Sequence, residues 1–253
     1  VTAPTFAEYA AALEGAGCAV RRHFLQAEVD FAVTDSILSS ITPEVDMVFL
    51  CQPNNPTGQL TPLPLVERIL RRCEACGALL VVDECFLDFL PDCDTLTAKA
   101  LLDSKNLLIL KAFTKLYGMA GVRLGYCLCA NTALLEAMQA AGQPWAVSSL
   151  AQAAGLAALD ETAYVAQVRA LIAQQRPRLT AGLRALGLRV LDGRANYLLF
   201  QGPETLGDAL RQWGVVLRSC SNYPGLDGSW YRTAVRTGPE NDELLKTLAE
   251  VLA

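Results

Sequence analysis

The sequence predicts an α/β fold built on a mainly parallel sheet, and three observations carry that expectation. Short apolar runs alternate with helix-like segments through the first 150 residues. Three of those runs, "DMVFLC" (46–51), "ALLVVD" (78–83) and "NLLILK" (106–111), are rich in Val, Leu and Ile. They have the length of parallel strands covered on both faces. Each is followed by polar residues, at the carboxyl end of the strand, where open α/β sheets bind ligands.

The elements follow in order. "FAEYAAALEGAG" reads as an amphipathic helix closing on glycine. "LPLVERILRRCEA" is the helix between the first two of the three strands, the alternation that a parallel sheet requires. From about residue 148 the texture changes to two long helices, "SSLAQAAGLAALD" and "ETAYVAQVRALIAQQRPRLTAGLRALG". Pro177 is expected to bend the second and Gly187 to stop it. "NYLLF", "VVLRS" and "YRTAVRT" then read as strands, with helices in "ETLGDALRQWG" and "ENDELLKTLAEVLA", giving a smaller α+β unit.

Composition narrows the function classes. The chain has 253 residues, is 52% hydrophobic and 19% charged, and suits a folded globular protein. No apolar stretch reaches the ~18 residues of a membrane span, and no basic-then-apolar leader opens the chain, so a soluble, cytoplasmic protein is expected. A net charge of -5 with scattered Lys and Arg argues against nucleic-acid binding but leaves room for a local pocket for an anionic small molecule. Nine cysteines, several inside apolar runs, read as reduced buried thiols. Cys73 and Cys76 form a C-x-x-C within a helical segment with no second pair at zinc spacing, and His23 is the single histidine. A metal site or a Ser/His/Asp triad is thus poorly supported.

The polar residues after the three strands are an amide pair, an acid and an amine: Asn54 and Asn55 in "QPNNPTG", Asp83 and Glu84, and Lys115 in "KAFTK". Each alone suits a turn, a cap or a solvated charge. Together they suit pyridoxal phosphate, which needs a lysine to form a Schiff base and an acid to keep its ring nitrogen protonated. Thr114 and Arg123 offer a hydroxyl and a guanidinium for its phosphate.

"NNPTG", "VVDECF" and "FTKLYGMAGVRLGY", in that order, resemble the class I/II aminotransferase family of fold-type I pyridoxal phosphate enzymes. The branch they most resemble holds the histidinol-phosphate aminotransferases and the threonine-phosphate decarboxylases. The resemblance implies the aspartate aminotransferase-like fold. Residues 1–155 would form the three-layer cofactor-binding large domain and 156–253 a small C-terminal domain. It implies Lys115 as the Schiff-base lysine, Asp83 as partner of the pyridine nitrogen, and Asn55 as donor to the phenolic oxygen. Phe6 would stack on the ring, Thr114 and Arg123 would contact the cofactor phosphate, and Arg232 would grip the substrate carboxylate. A homodimer is also implied.

Two positions depart from the family pattern: Phe86 stands where many relatives have a tyrosine donor, and Ala112 where a second hydroxyl is often found. Relatives also carry a longer stretch before "PTF", with a glycine-containing loop for the cofactor phosphate, so the N-terminal portion of the fold is expected to be absent and the phosphate site incomplete. "RSCSNYPGLDGSWYR" and "QPWAVSSLAQAA" resemble the threonine-phosphate decarboxylases of cobalamin synthesis more than the aminotransferases. The expected substrate is threonine O-phosphate, with Arg218 and Arg232 for its two anionic ends. Histidinol-phosphate aminotransferase is the alternative. A third reading is a truncated paralogue that keeps the fold and only binds a partner or ligand.

Overall fold

The computed structural model describes residues 1–253. The chain opens with β1 (Thr2–Ala3), α1 (Ala7–Gly15) and β2 (His23–Phe24). Next come β3 (Met47–Cys51), α2 (Leu63–Cys76), β4 (Leu79–Asp83), α3 (Cys93–Leu96), β5 (Leu107–Ala112), α4 (Phe113–Leu116) and β6 (Gly125–Leu128). Three helices follow: α5 (Thr132–Ala141), α6 (Ser149–Leu159) and α7 (Thr162–Ala185). The chain closes with β7 (Arg189–Val190), β8 (Tyr197–Gln201), α8 (Leu206–Arg211), β9 (Arg218–Ser219), β10 (Trp230–Ala234) and α9 (Gly238–Leu252). It forms two compact units. One holds Val33–Gln52 and Thr61–Gln167; the other holds Val1–Ala32, Pro53–Leu60 and Val168–Ala253.

In the first of these, the sheet order is β3-β4-β5-β6. β3, β4 and β5 run parallel, in a register that sets Cys51 beside Asp83 and Asp83 beside Leu110. Leu80, Val81 and Val82 are all at most 1% exposed, and because successive side chains alternate faces, both faces of β4 are covered. One face packs against Val66, Ile69, Leu70 and Cys73 of α2. Cys73 is therefore a core thiol: burial, then the neighbouring Cys76 and Glu74, push it up to about 12, and no metal-holding cluster includes it.

The fourth strand, β6, is antiparallel to β5 and was not expected. It is short, and Gly125 begins it because a Cβ there would lie 2.9 Å from the Lys111 carbonyl oxygen.

In the other unit, an antiparallel sheet of order β7-β8-β10-β9 carries a core of Leu179 and Leu183 from α7, Leu198 and Phe200 from β8, and Leu248 from α9. α7 continues through Pro177 as one helix and ends before Gly187, whose φ of +78° suits the left-handed stop. The expected strand "VVLRS" pairs only at Arg218–Ser219. The expected strand "YRTAVRT" stops at Ala234, because Thr237 leaves the sheet to cap α9. Its side chain and that of Glu240 form a reciprocal capping box. No helix is long and apolar enough to cross a membrane.

Candidate functional site

In the parallel-sheet unit the structure places Asp83 and Lys115 as the strand pattern predicts. Asp83 is the last residue of β4, and its Oδ1 accepts the Cys85 backbone N–H at 2.9 Å. That bond fixes the carboxylate at the turn leaving the strand. Cys85 is half-buried, and burial followed by the Asp83 charge pushes its thiol pKa up.

Lys115 lies in α4, directly after β5, with Thr114 half-buried beside it. The lysine is exposed, and its Nζ stands 5.5 Å from the centroid of the Phe86 ring. A phenyl ring attracts a cation through its face without taking its proton, so Phe86 orients the amine where a tyrosine would also have offered a donor. Arg123 is exposed, adopts φ +59°, and donates from Nη1 to the Ala120 carbonyl at 3.0 Å. Tyr164 pins the same segment from α7, its hydroxyl donating to the Leu116 carbonyl at 3.1 Å.

A second lysine close by has a different fate. Lys111 is buried, with Nζ 3.1 Å from Glu84 Oε2 and 2.8 Å from Asp88 Oδ1. Glu84 is 0% exposed and also accepts from Thr97 Oγ1 and the Ala98 backbone N–H, both at 2.7 Å. Burial alone would lower the Lys111 pKa, but the hydrogen bond to Asp88 and the charges of Glu84 and Asp88 outweigh it and hold the ammonium above its ordinary range. This lysine is locked as a cation. Lys111→Met would strand two carboxylates and should lower unfolding stability by about 3–5 kcal/mol in a denaturant melt. A change below about 1 kcal/mol would mean the network carries no structural load.

In the other unit, the "NNPTG" loop is fastened at several points. Asn54 accepts from Thr5 Oγ1 at 2.7 Å, donates to the Pro4 carbonyl and Thr57 Oγ1 at 2.9 Å each, and its own carbonyl accepts the Tyr197 hydroxyl at 3.0 Å. Gly58, at φ +72°, accepts the Arg194 backbone N–H at 2.7 Å, and Gly193 passes so close that a Cβ on it would meet the Thr57 carbonyl at 2.7 Å. Asn54 is thus a structural amide.

Asn55 is different. Its Oδ1 accepts from the Arg232 guanidinium and from the Tyr223 hydroxyl, which leaves Nδ2 as the group free to donate. Arg232 also lies over the Tyr197 ring at 5.1 Å, and Arg218, its cross-strand neighbour, over the Tyr223 ring at 5.9 Å. Phe6 is 37% exposed and meets Tyr9 edge-on at 5.5 Å. Arg236 is paired with Glu240 at 2.9 Å in the α9 cap, so it belongs to the helix end.

The structure therefore groups Asp83, Thr114, Lys115 and Arg123 in one unit, and Asn55, Arg218 and Arg232 with Tyr197 and Tyr223 in the other. The tyrosines, and the Lys111 network, escaped the sequence reading. A lysine closing an apolar strand beside a glutamate was the one available signal, since alternation turns one of every two residues inward. The donor set at the sheet edge fits pyridoxal phosphate: an open amine, a positioned carboxylate, and a hydroxyl with a guanidinium for an anion.

Residues 1–249 match the family model described as aminotransferase class I and II. A threonine-phosphate decarboxylase of Salmonella typhimurium is 39% identical over 256 residues, spanning 100% of this chain and 70% of the relative. A histidinol-phosphate aminotransferase of Lactiplantibacillus plantarum is 33% identical over 258 residues, with the same two coverages, 100% and 70%. The crystal structure of histidinol-phosphate aminotransferase from Sinorhizobium meliloti in complex with pyridoxal-5'-phosphate superposes with a TM-score of 0.85 at 25% identity. That match covers 99% of this chain and 68% of the other.

Proposed function

The chain belongs to the aminotransferase class I and II family of pyridoxal phosphate enzymes, with the α/β fold its sequence led us to expect, and from that we propose that it is a carboxy-lyase. Its substrate is L-threonine O-3-phosphate and its products are carbon dioxide and (R)-1-aminopropan-2-ol O-2-phosphate, a step of cobalamin synthesis. The observation that supports this most is the pair of arginines. Arg218 and Arg232 face each other across β9 and β10, and the partners of each are an amide oxygen and a tyrosine ring, with no acid to neutralise them. Threonine O-phosphate brings two anionic ends, one for each arginine. The 39% identity to the Salmonella decarboxylase points the same way. The aminotransferase reading is kept as the alternative by the relative at 33% identity.

Bound pyridoxal phosphate supplies an electron sink that weakens whichever bond at the substrate's α carbon stands perpendicular to its ring. In this reading Lys115 Nζ anchors the cofactor and Asp83 holds the proton on its ring nitrogen. Thr114 and Arg123 take the cofactor phosphate, Asn55 donates from Nδ2 to the phenolic oxygen, and Phe6 stacks on the ring. Phe86 and Ala112 supply no donor to the cofactor. Arg232 holds the carboxylate, and so selects the bond to be weakened, while Arg218 takes the substrate phosphate. We further read the working molecule as a homodimer, a reading supported by the exposed apolar side chains Trp145, Leu150 and Leu156, 95%, 81% and 68% accessible.

Arg232→Gln tests the reading. Charge-assisted bidentate contacts are worth roughly 1.5–3 kcal/mol, so KM for threonine O-phosphate should rise by about one to two decades. Carbon dioxide release should also lose ground to side reactions at the α carbon, because a loosely held carboxylate leaves the perpendicular position. An unchanged KM would remove Arg232 from the substrate site.

A further inference from the structure

β9 and β10 set Arg218 directly opposite Arg232. Like charges opposed across an antiparallel pair repel, so the arrangement persists only because other groups hold each guanidinium. Arg218 donates from Nη2 to Asn222 Oδ1 at 3.2 Å and lies over the Tyr223 ring; Arg232 donates to Asn55 Oδ1 and lies over the Tyr197 ring. All four partners are uncharged, so they position the pair without cancelling its double positive charge.

Tyr223 is the residue common to both halves. It is 4% exposed, and a turn holds its backbone, with its N–H donating to the Cys220 carbonyl at 3.0 Å and its carbonyl accepting from Leu226 at 3.0 Å. Its ring face lies under Arg218, and its hydroxyl is 3.4 Å from Asn55 Oδ1, the atom to which Arg232 also donates.

We propose that Tyr223 is a specificity-determining positioning residue: its ring sets Arg218 for the substrate's phosphate, and its hydroxyl, through Asn55, sets Arg232 for the carboxylate. The proposal rests on the reading above, in which those two arginines take those two anions. It divides one side chain into two separable duties. Tyr223→Phe removes the hydroxyl and keeps the ring, whereas Tyr223→Leu removes both.

The experiment titrates the cofactor-loaded protein with threonine O-phosphate and, separately, with threonine, following the cofactor's absorbance to obtain both dissociation constants. The ratio of the two measures how well the phosphate is read, and it is insensitive to partial loss of folded protein. Tyr223→Phe should weaken both ligands by the same factor, leaving the ratio at its wild-type value. Tyr223→Leu should lower the ratio by about two- to fivefold, the scale of a lost cation–π contact to an exposed guanidinium. A ratio that stays at the wild-type value in Tyr223→Leu overturns the proposal. A wild-type protein that binds threonine as well as threonine O-phosphate overturns the assignment beneath it, and the coupling falls with it.

Discussion

Lys115→Ala should fold normally and lose turnover by roughly 10²- to 10⁴-fold or more, because the amine proposed as the cofactor's covalent anchor would, once displaced by substrate, also be the acid that returns a proton to the α carbon. The side chain is exposed and makes no ion pair; it lies over the face of Phe86 and its charge acts on the nearby Cys85 thiol, so the fold does not rest on it. Borohydride treatment of the cofactor-loaded wild type, followed by peptide mass mapping, should place the pyridoxyl group on Lys115. The nearby lysines are poor competitors for physical reasons. Lys111 is held as a cation between Glu84 and Asp88, and a protonated amine has no lone pair to attack a carbonyl. Lys105 precedes β5, at the opposite end of the strand from Lys115. An adduct on either would show that the wrong amine has been chosen.

Asp83→Asn and Glu84→Gln should fail in different ways, although the residues are adjacent. The asparagine keeps an oxygen for the Cys85 N–H, so the turn should survive. It loses the charge that, in the proposed role, would keep the cofactor's ring nitrogen protonated, and activity per folded molecule should fall by about 10²- to 10⁴-fold. Glu84 is fully buried and holds Lys111, Thr97 and the Ala98 N–H. Its replacement leaves a buried ammonium short of one partner, so the loss should appear in the melting temperature, at about 3–5 kcal/mol, with activity per folded molecule near wild type. Equal losses of activity in the two variants would mean that the acid has been misassigned.

The parallel core of the fold was legible because hydrophobic runs of strand length are a local signal. β3, β4 and β5 fall within a residue of "DMVFLC", "ALLVVD" and "NLLILK", and α2 ends within a residue of its expected limit. β6 was not legible: it is only four residues long, it opens on a glycine, and it brings only Leu128 against the core. The strand expected through Thr237 overran because the capping pattern "TGPE" begins where the apolar alternation of "YRTAVRT" ends, at Thr237 itself. The placement of Asp83 at the end of β4 and of Lys115 just past β5 was readable because a strand end announces both. Tyr197 and Tyr223 were not, because their partners lie 143 and 168 residues away in sequence, and no period or spacing encodes such a contact.

The reaction itself is the sharpest point of decision. Purified, cofactor-loaded protein incubated with L-threonine O-3-phosphate, with carbon dioxide and keto-acid consumption followed in parallel, should release carbon dioxide without any keto acid present. A requirement for 2-oxoglutarate, with histidinol phosphate as the better amino donor and no carbon dioxide formed, would contradict the decarboxylase account.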